Sequence, residues 1–333
     1  MTSTSAADIA FERFCSACGG DDVDQVRQML LSINSINQVS LASGTSPLMI
    51  ACHANNLAMV QLLLDCGALV TFRNASGFTA LHWACLSTVD DCSILQLLVE
   101  HGADVNVTTR SGITAVDYAC KSEAKLRWLW QHGASDESVL LAAARRGFTD
   151  IVEAVVLAGV DIDVRDSSGR TALLRAVSAQ CADVARFLLT CGCNHSLLTS
   201  NDGRHPIYHL LYNDDRQTLV CLLAAGANVH VRDFGVRLPL ITSLKYTSHS
   251  GLDLLLAAGA DPNAIDSTGQ TAMQCAQQNS AAQCLLIAAG ATGELPQVVA
   301  DELIAARTRL ADAKREIETE RAHSPSSAAN CFS

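Results

Sequence analysis

A glycine that closes an apolar helix returns along most of the chain, at Gly67, Gly102, Gly133, Gly159, Gly192, Gly226, Gly259 and Gly290. A second series, Gly44, Gly77, Gly112, Gly169, Gly203, Gly235 and Gly269, stands shortly before a Thr or Pro and an apolar residue. Both series run at about 33 residues and keep a constant phase to one another. A unit this short cannot bury its own apolar face, so the period demands stacked copies. Hydrophobic residues make up 49% of the chain but aromatics only 5%, which suits many small helices packed closely.

Each unit has the same internal order. A Ser, Thr or Leu followed by a small or imino residue opens a first helix, at Ser46-Pro47-Leu48, Thr171-Ala172-Leu173 and Leu238-Pro239-Leu240. The hydroxyl can accept from the orphan amides of that helix, and Pro fits its first turn. Small residues follow (Ala84, Cys85, Ala119, Cys120, Ala176), allowing neighbouring units to approach. The second helix carries a Leu pair (Leu62-Leu63, Leu97-Leu98, Leu188-Leu189, Leu222-Leu223), and the closing Gly can take the left-handed conformation.

On these residues the chain resembles the ankyrin repeat. The best copy runs from Asn74 to Cys85 (NASGFTALHWAC) and from Ile94 to Asn106 (ILQLLVEHGADVN), and the resemblance covers roughly Leu41 to Thr292. It implies an all-α ankyrin-repeat solenoid, built of stacked helix-turn-helix units with β-hairpin fingers. Eight repeats are expected, preceded by a capping helix pair over 9–40. The repeat array takes 41–292, an amphipathic helix takes 293–321, and disordered ends take 1–8 and 322–333.

Two repeats depart from the pattern. The step from Gly112 to Gly169 is about nine residues short of two periods. Both helices between Asp136 and Gly159 look complete, so the missing part is the finger before them. The repeat at Asp202 has His205-Pro206-Ile207-Tyr208 where Thr-Pro-Leu-His is expected. In the last segment Val299, Leu303, Ala306, Leu310, Ala313 and Ile317 alternate at four and three residues among many charges. Such a seam can fold back on the last repeat as a cap, or pair with a second copy or a partner helix as a coiled coil through 295–321.

The formal net charge is -11, and no Lys/Arg run marks a nucleic-acid footprint or an anionic membrane contact. Neither partner is expected. The start of the chain lacks the layout of a signal peptide, and the longest apolar stretch, Val139 to Val160, is broken by Arg145, Arg146, Asp150 and Glu153. A cytoplasmic or nuclear protein is expected, with its 14 cysteines reduced.

No cofactor, metal or catalytic set is expected. Cys52, Cys85 and Cys120 occupy one slot in successive first helices and read as small apolar fillers. Neighbouring helices lie roughly 8–10 Å apart, beyond disulfide reach. Cys15-x-x-Cys18 lacks a second ligand pair, and Cys191-x-Cys193-x-His195 lacks a fourth ligand. His82, in Thr79-Ala-Leu-His82, matches the family's structural His rather than a base.

Binding another protein is therefore the expected function, as a scaffold or adaptor that holds a partner segment on its concave face. The alternative is a regulatory or targeting subunit that docks a catalytic partner through the C-terminal helix. The position after the Thr-Pro-Leu-His slot reads Ile50, Trp83, Tyr118, Ala142, Arg175, His209 and Thr242, and Arg145-Arg146, Tyr212-Asn213 and Lys245-Tyr246 add to it. The finger tips add Phe78, Arg110, Arg170, Arg204, Phe234 and Arg237. Trp, Tyr and Arg are the commonest interface hot spots, although Trp83 could equally fold over a neighbouring helix. From these the binding set is Ile50, Phe78, Trp83, Arg110, Tyr118, Arg145, Arg146, Arg175, His209 and Phe234. A partner segment with an apolar anchor and acidic residues would suit it. Leu98, followed eight residues later by Asp104-Val105-Asn106, resembles the preferred site of the oxygen-dependent asparaginyl hydroxylase of ankyrin repeats, which makes Asn106 the candidate modification site.

Overall fold

The computed structural model describes residues 6–33, 35–196, 205–233, 237–246, 251–292 and 300–323. Among these, every regular element is a helix, and nine consecutive helix pairs precede a longer final helix. The chain divides into two compact units, Met1–Ala142 and Ala143–Ser333.

In the first unit the pairs are α1 (Ala6–Cys18) with α2 (Val23–Leu30), α3 (Pro47–His53) with α4 (Leu57–Asp65), α5 (Ala80–Leu86) with α6 (Ser93–Glu100), and α7 (Ala115–Ala119) with α8 (Glu123–Gln131). First helices pack on first helices in the order α1, α3, α5, α7, and the second helices α2, α4 and α6 form a parallel row. Ala84, Cys85 and Ala119 are buried between neighbours, as their size requires. α9 (Asp136–Arg146) begins in this unit and ends in the next.

The second unit continues with α10 (Thr149–Leu157), α11 (Ala172–Ser178) with α12 (Ala182–Thr190), α13 (Pro206–Asn213) with α14 (Arg216–Ala224), α15 (Pro239–Tyr246) with α16 (Leu252–Ala257), α17 (Ala272–Cys275) with α18 (Ser280–Ala288), and α19 (Ala300–His323). The same two rows recur, α11-α13-α15-α17 and α10-α12-α14-α16-α18.

Helix ends follow the sequence signals. Ser46, Thr114, Thr171 and Thr271 cap first helices with side-chain oxygens, and Asn56, Ser122, Asp215 and Asn279 cap second helices. The fingers are narrower than hairpins, with isolated bridges at Thr108–Thr114, Arg165–Thr171, Asp233–Arg237 and Ile265–Thr271. An Asn or Asp at the finger base shapes the turn. The Asn74 carboxamide oxygen accepts from Ser76 N at 3.1 Å and Phe78 N at 2.9 Å, while its nitrogen donates to Gly44 O of the preceding finger at 3.1 Å. Gly77 is required there: its φ is +83°, and a Cβ would lie 2.7 Å from Arg110 N of the next finger.

No finger precedes α9. The chain passes from α8 through His132–Ser135 straight into the helix, as the shortened period predicts.

The sequence allows α19 to cap the last repeat, but it does something broader. It lies along the second helices of the last three pairs, α14, α16 and α18. Ala306, Ala313 and Ile317 are buried in that contact, with Leu303 and Leu310 half-buried. The seam is thus covered by the chain's own helices. Polar ties fix its second half: Glu316 pairs with Arg216 at 2.8 Å, the Cys221 thiol donates to Glu320 at 3.2 Å, and Arg321 donates to Ala224 O at 3.1 Å. Residues 293–299, including Val299, lie outside the described residues, as do 1–5 and 324–333. Helix α1 begins at Ala6, and α19 runs to His323.

Repeat stability is approximately a sum of local and nearest-neighbour terms. Without a finger before α9 that sum should be weakest there, so native-state hydrogen exchange should show Met1–Ala142 and Ala143–Ser333 opening with different free energies. One common opening free energy across both would refute it.

Candidate functional site

In the first unit the expected aromatic positions do come together. The Trp83 ring meets His53 of the preceding first helix edge-on at 5.4 Å and Phe78 at 6.0 Å. Phe78 in turn lies 5.4 Å from Tyr118 of the following repeat. The result is an aromatic run across α3, the finger before α5, α5 itself and α7. Trp83, Phe78 and Tyr118 are each half-buried, and His53 is exposed. Trp83 is therefore both a packing residue and a surface residue, and its buried Nε1 makes no hydrogen bond among the described residues. Burial, and then the neighbouring Asp117, push the Tyr118 phenol up from its ordinary value. Ile50 is half-buried, with its Cγ2 placed 3.2 Å from where a Cβ on Gly19 would stand, so it leans on α1. Arg110 is exposed at its finger tip.

His82 is buried beneath this run. Its Nδ1 accepts from Thr79 N at 3.2 Å and contacts Thr79 Oγ1 at 3.0 Å. Its Nε2 faces the Val107 and Ile113 backbone of the next finger, short of a full hydrogen bond. The clasp on its own Thr79 is formed, while the bond across to the next finger that the resemblance implies is not.

In the second unit the expected set divides. Arg145 and Arg146 are exposed in the last turn of α9. Arg175 is held in place: its guanidinium donates to Asp166 Oδ2 of its own finger at 3.0 and 2.8 Å, and Arg170 shares that carboxylate at 3.1 Å. Burial would raise the Asp166 carboxyl, but the Arg170 amide and the Arg175 guanidinium outweigh it and hold it below the usual range. His209 is half-buried on α13. Phe234 and Arg204 lie outside the described residues. Two positions expected on the surface are instead interior. Ala142 is 1% exposed and Thr242 is 0% exposed. The Thr242 hydroxyl turns back to Leu238 O at 3.1 Å, which a short side chain can do without reaching the surface.

The departure at His205–Tyr208 keeps the clasp with different atoms. The Tyr208 hydroxyl crosses to the next finger, where it bonds Val231 O at 2.9 Å and Arg237 O at 2.5 Å and accepts from Asp233 N at 3.0 Å. His205 replaces Thr as the cap, its Nδ1 accepting from Ile207 N at 3.3 Å.

Lys125 escaped sequence reading. It is 1% exposed, and its ammonium donates to Ala84 O at 2.9 Å and Ser87 O at 2.8 Å, the final carbonyls of α5. Burial draws its pKa down, against the opposing pull of Cys85, Cys92, Asp90 and Asp91. A cation at a helix C-terminus satisfies orphan carbonyls and opposes the helix dipole. The available signal was a Lys in the inward register of α8, one residue before the buried Leu126.

Asn106 is exposed, and its carboxamide spans two repeats: Nδ2 donates to Gly133 O at 2.8 Å, and Oδ1 accepts from Ser135 N at 2.9 Å. Asn37 and Asn263 make similar bridges. Cys15 and Cys18 are buried on α1, and burial pushes both thiols up to about 12. His195 contacts Ala225 O through Nε2, while Cys193 is buried. Among the described residues no three His, Cys, Asp or Glu side chains are placed to hold a metal ion. No helix among them is long and apolar enough to cross a membrane.

Stacked helix pairs, finger bridges and the Thr-x-x-His clasp define a class of protein-binding repeats, and the chain belongs to the ankyrin-repeat family. Residues 14–109, 72–139, 117–201 and 140–233 match the family described as ankyrin repeats (3 copies). The chain is similar to the B-cell lymphoma 3 protein homolog of Mus musculus, 28% identical over 196 residues, which is 57% of this chain and 38% of the relative. It is similar to an L-asparaginase of Dirofilaria immitis, 34% identical over 140 residues, covering 41% of this chain and 23% of that enzyme. It also resembles the BCL-6 corepressor-like protein 1 of Homo sapiens, 34% identical over 93 residues, covering 28% and 5%. The chain thus spans well under half the length of these relatives. The family and the B-cell lymphoma 3 relative support a role in protein–protein interaction, and ankyrin repeats are generally non-catalytic.

His205 gives the fold a pH dependence. Burial and the neighbouring His195 hold its pKa down to about 4, against roughly 6.5 for an ordinary His. Between those values the unfolded chain binds the proton better than the folded one. Stability is therefore full above pH ~6.5 and falls as the pH drops towards 4. His205→Asn keeps a capping acceptor and should flatten part of that fall, measured as the urea midpoint at successive pH values. An unchanged pH profile would count against the assignment.

Proposed function

We propose that this chain is a non-catalytic scaffold or adaptor that captures a segment of another protein on the face formed by its first helices and fingers. The observation that carries the reading is the half-open aromatic run of His53, Trp83, Phe78 and Tyr118. Large rings left partly in solvent are unusual in a chain whose core is built from Ala and Leu, and such rings are typical anchors of interfaces. An apolar side chain of the partner would seat on this run, and an acidic residue beside it would meet Arg110. Ile50 completes the surface proposed on the first unit; Arg145, Arg146, Arg175 and His209 make up the set proposed on the second, Arg175 as a side chain already oriented by Asp166. Phe234 remains part of it by sequence alone.

The reading favours a cytoplasmic or nuclear setting, and partners other than nucleic acid or membrane. The alternative, a targeting subunit that docks an enzyme through α19, has less support because the apolar side of that helix is occupied by α14, α16 and α18. Self-association through 295–321 meets the same obstacle.

Trp83→Ala should weaken partner capture by about 2 kcal/mol or more, read by calorimetry with the partner recovered by affinity purification. The melting temperature should move little. A large fall in melting temperature with unchanged affinity would make Trp83 a packing residue and move the binding surface elsewhere.

We also propose Asn106 as a site of asparaginyl hydroxylation. Its place after Leu98 and Asp104-Val105 supports this, as does its exposure. Because both amide atoms are engaged between repeats, modification would need the local turn to open. Mass spectrometry of the endogenous protein should find one added oxygen atom on Asn106. Its absence in oxygenated cells that contain such a hydroxylase would rule the site out.

A further inference from the structure

A cavity of about 540 Å³ opens between the end of α15 and the turn joining α17 to α18. Carboxamides form most of its wall, Gln270, Gln274, Gln277, Gln278 and Asn279, with Lys245 at one side and Leu244, Cys275 and Ala276 completing it. The bonds inside the protein decide which end of three of these amides is used up. Gln274 Oε1 accepts from Thr271 N at 2.9 Å, and Asn279 Oδ1 accepts from Ala282 N at 3.0 Å. Gln270 Oε1 accepts from Lys245 Nζ at 3.3 Å. Each partner can only donate, so in all three residues the oxygen is committed and the NH2 group is left over. The Lys245 charge is itself matched by the Asp266 carboxylate, an ion pair that holds Asp266 far below the usual carboxylate range. The wall is thus rich in N–H donors and carries little unmatched charge.

We propose that this cavity takes an extended segment of a partner protein, with backbone carbonyls and one Asp or Glu side chain accepting from Gln270, Gln274 and Asn279. The inference rests on the protein-binding reading above and adds a second contact of different chemistry to it. A single carboxylate would fill little of the volume, and with Lys245 neutralised nothing here grips a bare anion by charge. A peptide presents carbonyl acceptors at regular intervals and needs donors, which is what the wall offers. Neutral donors also make the contact less salt-sensitive than one made by Arg110 or Arg145.

Two isosteric substitutions test it. Gln274→Glu and Asn279→Asp keep the capping oxygens of α17 and α18 but replace the NH2 donors with carboxylates. The full-length chain, labelled with nitrogen-15, is titrated with a short end-blocked peptide of alternating Glu and Gly. The side-chain NH2 signals of Gln270, Gln274 and Asn279 should shift, and the double variant should bind about tenfold or more weakly. Its circular dichroism should match that of wild type. If the double variant fails to fold, the wild-type titration alone decides, since shifts confined to other residues overturn the proposal. So does an unchanged affinity in the folded double variant. If free glutamate shifts the same signals equally at equal concentration, the cavity is a small-anion site and the peptide assignment fails. Loss of the natural partner on Trp83→Ala but not in the double variant would leave the broader binding reading intact and remove this one. Loss only in the double variant would support this contact and take the aromatic run out of the binding surface.

Discussion

No helix pair in this chain can hide its apolar face from water unless another pair lies against it. Hydrophobic burial between neighbours is therefore the term on which everything else depends, and it acts only across short distances. It explains why first helices are lined with Ala84, Cys85 and Ala119, since only small side chains let two helices close on one another. It also explains the cysteines. Cys52 and Cys85 sit in successive first helices, fully or nearly fully buried, with burial pushing both thiols well above their ordinary value. They behave as small apolar residues rather than as nucleophiles.

Packing alone does not set how far one pair is displaced from the next. That is fixed by polar side chains that cross from repeat to repeat, and the chain solves the problem with several chemistries. His82 and Tyr208 occupy equivalent positions, and each points a ring towards the turn of the following finger. Asn37 and Asn106 join adjacent loops through both ends of their carboxamides, and Asn263 through its oxygen alone. Lys125 does the task from the opposite side, reaching back to the carbonyl end of α5. Removing His82, Tyr208 or Lys125 leaves buried polar groups without a partner, which is costlier than losing the bond itself.

Period, pairing and the absent finger were all legible because they depend on local signals: a Gly able to turn left-handed, a capping hydroxyl, a spacing. The aromatic run was legible for a related reason, since Trp83 and Tyr118 hold one register in consecutive repeats. Properties that depend on what lies opposite were harder to read. Arg175 looks like a free cation until Asp166 is placed beside it. Thr242 keeps the register of Trp83 yet turns inward, because its short side chain can bond its own backbone. Lys125 reads as solvated surface unless the end of α5 is known to lie above it. The heptad spacing of α19 announced an apolar seam but not its occupant.

That helix changes how the second unit must come into being. Elsewhere among the described residues, side-chain hydrogen bonds and ion pairs join residues no more than a repeat or two apart, so each pair can settle soon after it is made. Arg216 and Glu316 are separated by 100 positions, and Cys221 and Glu320 by 99. During synthesis the outward sides of α14, α16 and α18 therefore stay uncovered until α19 has emerged. Helix α19 finishes a surface begun about a hundred residues earlier. An array that could have been assembled one neighbour at a time is given a definite moment of completion.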